Sequence, residues 1–242
     1  MRGFEALRDR VILVTGAGSG LGAALCARLV EEGACVAALD LHAEHVDTLA
    51  ERLRSDGGRV RAYTGDVGNA QDDARVLAAA VSAFGHLDAI VNCAGVDITA
   101  PIRDVDVAGW ERVVRTNLIG PFLLSKLALE HLGASGHIVN VVSTAARRAW
   151  PNASAYHASK WGLMGLTQAL HAELRPCGIK VSAIIAGGMR TPFLLDRFPD
   201  IDVGTLQDPT HVARAILFAL TQPEESVVPE IMVLPMKETS WP

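Results

Sequence analysis

Aromatic side chains are scarce in this chain: two Tyr, four Trp and six Phe among 242 residues. A basic excess is missing too, since 22 Lys and Arg against 27 Asp and Glu leave a formal charge of −5 and a pI near 5.9. Nucleic-acid binders carry basic stripes, and here Lys and Arg are scattered without a polybasic run, so nucleic acid is excluded as a partner. No uncharged apolar run is long enough to span a bilayer, and "MRGFEALRDR" at the start has no apolar signal-peptide core. No membrane partner is expected, and the expected location is cytoplasmic. Cys26, Cys35, Cys93 and Cys177 show no CxxC spacing, which reads as reduced packing thiols. No His, Cys and acid cluster has ligand spacing, so no metal is expected.

What is present is a hydrophobic half of the composition, arranged as short apolar runs alternating with amphipathic stretches. Strands are predicted at 10–15, 34–40, 59–66, 86–92, 136–143, 179–185 and 226–234. Helices are predicted at 20–32, 43–56, 69–84, 104–131, 153–175 and 209–222. Several runs are apolar on consecutive positions, as strands covered on both faces must be. In the first helix Leu21, Leu25, Leu29 and Val30 share a face and Gly33 ends it. The pattern predicts a single α/β domain over 1–242, with a doubly wound seven-stranded parallel sheet and helices on both faces. Ligands of such sheets sit beyond the carboxyl ends of the strands.

After the first strand comes "TGAGSGLG". Its glycines let the backbone approach a pyrophosphate, and the following helix offers free N–H groups and a positive dipole end. Gly16, Ser19, Gly20 and Leu21 are the contacts expected there. The second strand ends in Asp40, a carboxylate suited to the ribose hydroxyls of NAD and repellent to a 2′-phosphate; a helix cap is the alternative reading of the same residue. Ser19 and Leu41 provide no cation for NADP, although His42 and Arg61 blur the preference. Asp66 and Val67 end the third strand, a polar–apolar pair for an adenine. Asn92, Ala94 and Gly95 in "NCAG" follow the fourth, where a backbone must pass close to a ligand.

The long helix from 104 contains "TNLIGPF". Pro121 lacks an N–H, so a kink is expected that frees the Asn117 carbonyl to bind a water; a kink without function is the plainer reading. The fifth strand ends at Ser143, and "SAYHASK" beyond it carries Tyr156 and Lys160 at i and i+4 on one helix face. An ammonium beside a phenol favours the phenolate and lowers a pKa that is ordinarily near 10. Ser143 is placed to hydrogen-bond a substrate oxygen.

In this order, "TGAGSGLG", Asp66, "NCAG", Asn117, Ser143 and "YHASK" resemble the short-chain dehydrogenase/reductase family of Rossmann-fold oxidoreductases. The resemblance implies Tyr156 as general acid/base and Ser143 as anchor of the substrate oxygen. It implies Lys160 on the nicotinamide ribose and Asn117 holding a water in a proton relay. Gly187 and Thr191 would contact the nicotinamide, and the chain would form a homo-oligomer, a tetramer or dimer. Three departures stand out: Cys93 replaces a second Asn, Ala186 replaces a Pro and is expected to loosen the nicotinamide loop, and the C-terminus lacks the Asp-Gly-Gly ending.

The implied activity is an NAD(H)-dependent oxidoreductase acting on a small-molecule secondary alcohol/ketone pair of moderate, partly apolar size. The alternatives are an NADPH-dependent ketone reductase of 3-oxoacyl type and a non-catalytic dinucleotide sensor. Segment 189–206 is expected to form a lid, with Phe193, Leu194, Leu195 and Phe198 either facing substrate or packing the lid onto the domain. Arg147 and Arg148 read either as partners of an acidic substrate or as a solvated loop. The short connection after Gly188 suggests an open pocket, or one completed by a neighbouring subunit's C-terminal tail.

Overall fold

Strands and helices alternate in the computed structural model, which describes residues 5–238. The strands are β1 (Val11–Thr15), β2 (Cys35–Asp40), β3 (Arg59–Thr64), β4 (Leu87–Asn92), β5 (Leu132–Ser143), β6 (Lys180–Ala186) and β7 (Glu230–Val233). The helices are α1 (Gly20–Glu31), α2 (Ala43–Ser55), α3 (Ala70–Phe84), α4 (Val107–Val114), α5 (Gly120–Ala128), α6 (Ser154–Leu174), α7 (Pro192–Leu195) and α8 (Pro209–Leu220). One seven-stranded sheet runs in the order β3-β2-β1-β4-β5-β6-β7, every pair parallel.

Side chains of β1 divide by parity, as a pleated strand requires. Ile12 and Val14 pack with Leu25 and Leu29 of α1, Leu49 of α2 and Ile216 of α8 on one face of the sheet. Val11 and Leu13 pack with Leu77 of α3 and Leu124 of α5 on the other. A third cluster seats Leu163 and Met164 of α6 on Val142 and Ile185. The order reverses between β1 and β4, and that switch point opens the crevice where the loops of interest gather.

Gly33 ends α1 as expected, at φ +82°, with Ala34 N donating to Leu29 O at 3.0 Å. The long helix expected over 104–131 is instead broken. Asp106 caps α4 through Gly109 N at 2.7 Å, so the helix begins late. Arg115–Ile119 then form a π turn in which Gly120 N donates to Arg115 O, five residues back. The cause lies one residue on, where Pro121 has no N–H for the Asn117 carbonyl. The last strand is shorter than 226–234, because Pro229 has no N–H for a ladder and only its carbonyl is used, by Ala183 N at 2.8 Å. Of the unusual C-terminal segment, residues 239–242 lie outside the described residues. Among the described residues no helix is long and apolar enough to cross a membrane, and no group of three or more His, Cys, Asp or Glu is placed to hold a metal ion.

Candidate active site

The carboxyl ends of β1 and β4 are tied by one hydroxyl: Thr15 Oγ1 accepts from Cys93 N at 3.1 Å and from Ala94 N at 3.0 Å. Gly16 follows at φ +64°, and a Cβ there would meet Ala94 Cα at 2.8 Å. Only glycine permits that backbone approach. Ser19 is the N-cap of α1, but its side chain makes no capping bond, so the first-turn N–H groups of Gly20 and Leu21 remain available to an anion. Thr191, buried after β6, lies against the same turn: a Cβ on Gly20 would meet Thr191 Cβ at 3.3 Å.

Asp40 serves this turn directly. One carboxylate oxygen accepts from Gly18 N at 2.8 Å and the other from His42 N at 2.9 Å. The cap of α2 is His42, not Asp40. Arg61 pairs with Ala37, well before the Asp40–Thr64 pair at the strand end, and the exposed Leu41 offers no charge. At the next strand end, Asp66 Oδ1 accepts from Gly68 N at 2.8 Å, and Val67 is buried against Gly120. Asn92 points elsewhere: its amide donates to Asn140 Oδ1 at 2.8 Å, and Asn140 in turn donates to Thr167 at 2.9 Å. Its side chain braces β4, β5 and α6 internally.

The reacting residues converge on the β5 rim. Asn117, fully buried in the π turn, clamps Val96 from both sides: Val96 N donates to its Oδ1 at 2.9 Å, and its Nδ2 donates to Val96 O at 2.8 Å. The same Nδ2 reaches Ser159 Oγ at 3.1 Å, and Ser159 donates to Tyr156 O at 2.8 Å. Ser143 Oγ accepts from Ala145 N at 3.1 Å and faces the Tyr156 phenol. Lys160 is buried, donates to Val141 O at 2.9 Å, and places its Nζ 5.7 Å from the Tyr156 ring centre.

The lowered Tyr156 pKa expected beside Lys160 is not what this arrangement gives, because burial sets the direction. Burial pushes the phenol up to about 12, against the downward pull of the Ser143 hydrogen bond, with Asp97 raising it and Arg197 lowering it. Burial likewise pushes Lys160 down to about 8, opposed by Cys93 and Asp97. Losing water outweighs the Ser143 hydrogen bond at the phenol and the pull of Cys93 and Asp97 at the ammonium.

At the loop after β6, Ala186 is still part of the strand. It continues the ladder, paired with Ser143 and with Val233. Gly187 N then donates to Val233 O at 2.9 Å, and Gly188 N to Glu238 at 3.2 Å. The chain's own tail therefore covers this loop, with Pro235 and Glu238 against Gly187. Arg147 pairs with Glu230 of β7. Thr15 and Ser159 join the site, as do Asp97 from the loop after β4 and Arg197 from within the 189–206 segment expected to form a lid. Ser159 was visible inside "SAYHASK" as a small polar residue one turn from Tyr156; the others depend on which strand ends become neighbours.

A nicotinamide dinucleotide fits these residues. The uncapped N-terminus of α1 suits its pyrophosphate, and the Gly18–Asp40 pair suits a ribose diol. Gly95 leaves a side-chain-free position whose Cβ would stand 3.6 Å from Asn117 Oδ1 and 3.9 Å from Lys160 Nζ.

Known proteins match this chain over nearly its whole length. Residues 10–202 match the family model described as short chain dehydrogenase. Cis-4-hydroxycyclohexanecarboxylate dehydrogenase of Sinomonas cyclohexanicum is 36% identical over 241 residues, covering 95% of this chain and 96% of that protein. The crystal structure of levodione reductase superposes with a TM-score of 0.87 at 27% identity, over 94% of this chain and 97% of that one. A metagenomic short-chain oxidoreductase in complex with NADP gives a TM-score of 0.82 at 27% identity, over 96% and 99% of the two chains.

Proposed function

The chain belongs to the short-chain dehydrogenase/reductase family, and we propose that it is an NAD(H)-dependent oxidoreductase interconverting a ring-borne secondary alcohol and its ketone. The observation that carries this reading is the Tyr156 phenol set against Ser143 at the end of β5, with Lys160 buried one turn further on. When bound, the nicotinamide supplies or accepts the hydride. The chain's own residues do the rest. Ser143 holds the substrate oxygen, Tyr156 takes or returns its proton, and Lys160 lies beside Tyr156, where the nicotinamide ribose would reach it. Asn117 holds Val96 and Ser159, and through them the backbone on either side of the dyad. Gly187 and Thr191 would bound the nicotinamide itself.

The ring-borne substrate is supported by the name of the Sinomonas relative and by Phe193, whose ring lies 5.8 Å from that of Tyr156. NAD rather than NADP is supported by Asp40, whose carboxylate at the end of β2 accepts from Gly18 N and His42 N and would repel a 2′-phosphate. NADPH use is the second reading, favoured by the NADP-bound neighbour. A cytoplasmic homo-oligomer belongs to the same proposal, supported by four unpaired cysteines and by the exposed Trp161 and Phe122.

The test is turnover of cyclic secondary alcohols and ketones with each dinucleotide. Tyr156→Phe is expected to lower kcat by about a thousandfold or more while NADH still binds. Asp40→Ala is expected to raise NADPH affinity and lower that for NADH. A wild-type protein that turns over no member of a broad panel with either dinucleotide sinks the reading.

A further inference from the structure

The segment after Thr191 reaches across the cleft to the rim formed by the β4 loop, and it does so through one side chain. Arg197 pairs by Nη1 with Asp97, a hundred residues earlier in the chain, and stands 3.5 Å from Thr99 Oγ1. Its Nε donates back to Phe193 O at 2.8 Å. The guanidinium lies over the Phe193 ring at 4.2 Å and over Phe198 at 5.4 Å. Phe193 in turn lies against Tyr156. Asp97 is 7% exposed and accepts from Ile98 N at 2.7 Å; Arg197 is 22% exposed.

The other attachments of the segment are at its ends. Met189 bridges Gln207, Arg190 N donates to Gln207 O at 2.9 Å, and the Arg190 guanidinium bonds Leu206 O at 2.7 Å and pairs with Asp208. These bonds close the base of a loop. Among the described residues, the hydrogen bonds and ion pairs that tie the tip, 193–202, to the rest of the domain run through Arg197, while Phe193 packs on Tyr156.

We propose that Arg197 and Asp97 form a latch that holds this segment closed over the reaction site, seating Phe193 on Tyr156 as the apolar wall of the substrate cleft. The inference rests on the oxidoreductase reading above and deepens it, naming the positioning pair that gives the lid its closed state. Three physical features single out this pair. The carboxylate is nearly buried, so breaking the pair leaves an uncompensated charge at the cleft. The guanidinium lies over two rings of the lid and is bonded to the lid's own backbone, so it moves with the lid. The pair also sits where the reacting groups sense it. Asp97 raises Tyr156 and Lys160, Arg197 lowers Tyr156, and Arg197 and His157 pull against the burial that raises Asp97 itself. Docking the arginine thus offsets an anion beside the dyad at the moment the cleft closes.

A double-mutant cycle tests the latch, using the full chain, Asp97→Asn, Arg197→Met and both together. Each single change is expected to raise the KM for alcohol about tenfold or more while lowering kcat less, because the closed state binds substrate and transition state alike. Proteinase K cleavage within 192–202 is expected to accelerate in each. The double variant is expected to be no worse than the worse single, the signature of a shared interaction. Arg197→Lys, which keeps charge but loses the stack, is expected to fall between. NADH binding and a cooperative thermal transition, the latter at a lower midpoint in Arg197→Met where the Asp97 charge loses its partner, certify that each variant is folded. Additive effects overturn the proposal, as does a wild-type KM and cleavage rate in either single variant while Tyr156→Phe still abolishes turnover. If the wild type turns over no substrate, the functional reading has failed instead, and the cycle of cleavage rates still decides the latch.

Discussion

A phenol held in apolar surroundings resists ionisation, and at Tyr156 that resistance exceeds the help available from its neighbours. Burial raises the phenol to about 12, and Lys160, itself pushed down to about 8, spends its ammonium on the Val141 carbonyl. The protein by itself therefore stores the tyrosine as an acid. This suits proton donation to a ketone, and it makes the base form conditional on a positive charge arriving at the ring. The chain has only two tyrosines, and burial raises Tyr63 above its ordinary 10.0 as well. A near-ultraviolet titration of the folded protein is therefore expected to show no phenolate below pH 10, about the ordinary phenol value. Saturating oxidised nicotinamide dinucleotide is expected to bring in one phenolate at lower pH, and Tyr156→Phe to remove it. A full tyrosine ionising below pH 10 without the dinucleotide would show that Lys160 governs the pair after all.

At the scale of elements, the break between α4 and α5 shows what local sequence dictates and where it stops. Pro121 forbids the bond from residue 121 to the Asn117 carbonyl, and the chain answers with a π turn over Arg115–Ile119. That much was legible from "TNLIGPF". Strand ends and the glycine turn were legible for the same reason, since apolar runs and glycines act on their immediate neighbours. The use made of the Asn117 side chain was not, because Val96 and Ser159 reach it from other elements. Nor was the Asn92–Asn140–Thr167 chain, which needs the pairing of Asn92 with Asn140 after a shift in register near Leu87. Pro121→Ala restores the missing N–H. It is expected to straighten the turn and draw Asn117 off Val96, lowering kcat about tenfold or more, since small misplacements at a site are costly. The thermal midpoint should hold or rise. Wild-type turnover with a raised midpoint would show that the π turn has no bearing on the site.

At the scale of the whole molecule, His137 and Asp73, buried and far from the reacting dyad, bound its stability from opposite sides of the pH scale. His137 is buried between β5 and β6, with Nε2 2.9 Å from Ser182 Oγ, whose own hydrogen goes to Val228 O at 2.7 Å. Burial, aided by Arg10 and Lys180, lowers it from 6.5 to about 3. The unfolded chain therefore takes up a proton first, and stability is lost as pH falls from about 6.5 toward 3. Asp73 of α3 is fully buried with neither carboxylate oxygen bonded, and burial, then Asp66 and Asp72, raise it from 3.8 to about 8. Here the folded state keeps the proton longer, so stability is lost as pH rises from 3.8 toward about 8. Between pH 3.8 and 6.5 the two slopes oppose each other, which predicts a plateau there and a decline on each side. Asp73→Asn removes the carboxylate without changing its size, and it isolates one limb. Urea midpoints of variant and wild type are expected to diverge steadily in the variant's favour as pH rises from about 4 to about 8, and then to run parallel. A difference that does not vary with pH would mean that Asp73 is already ionised in the fold, matched by a partner outside the described hydrogen bonds.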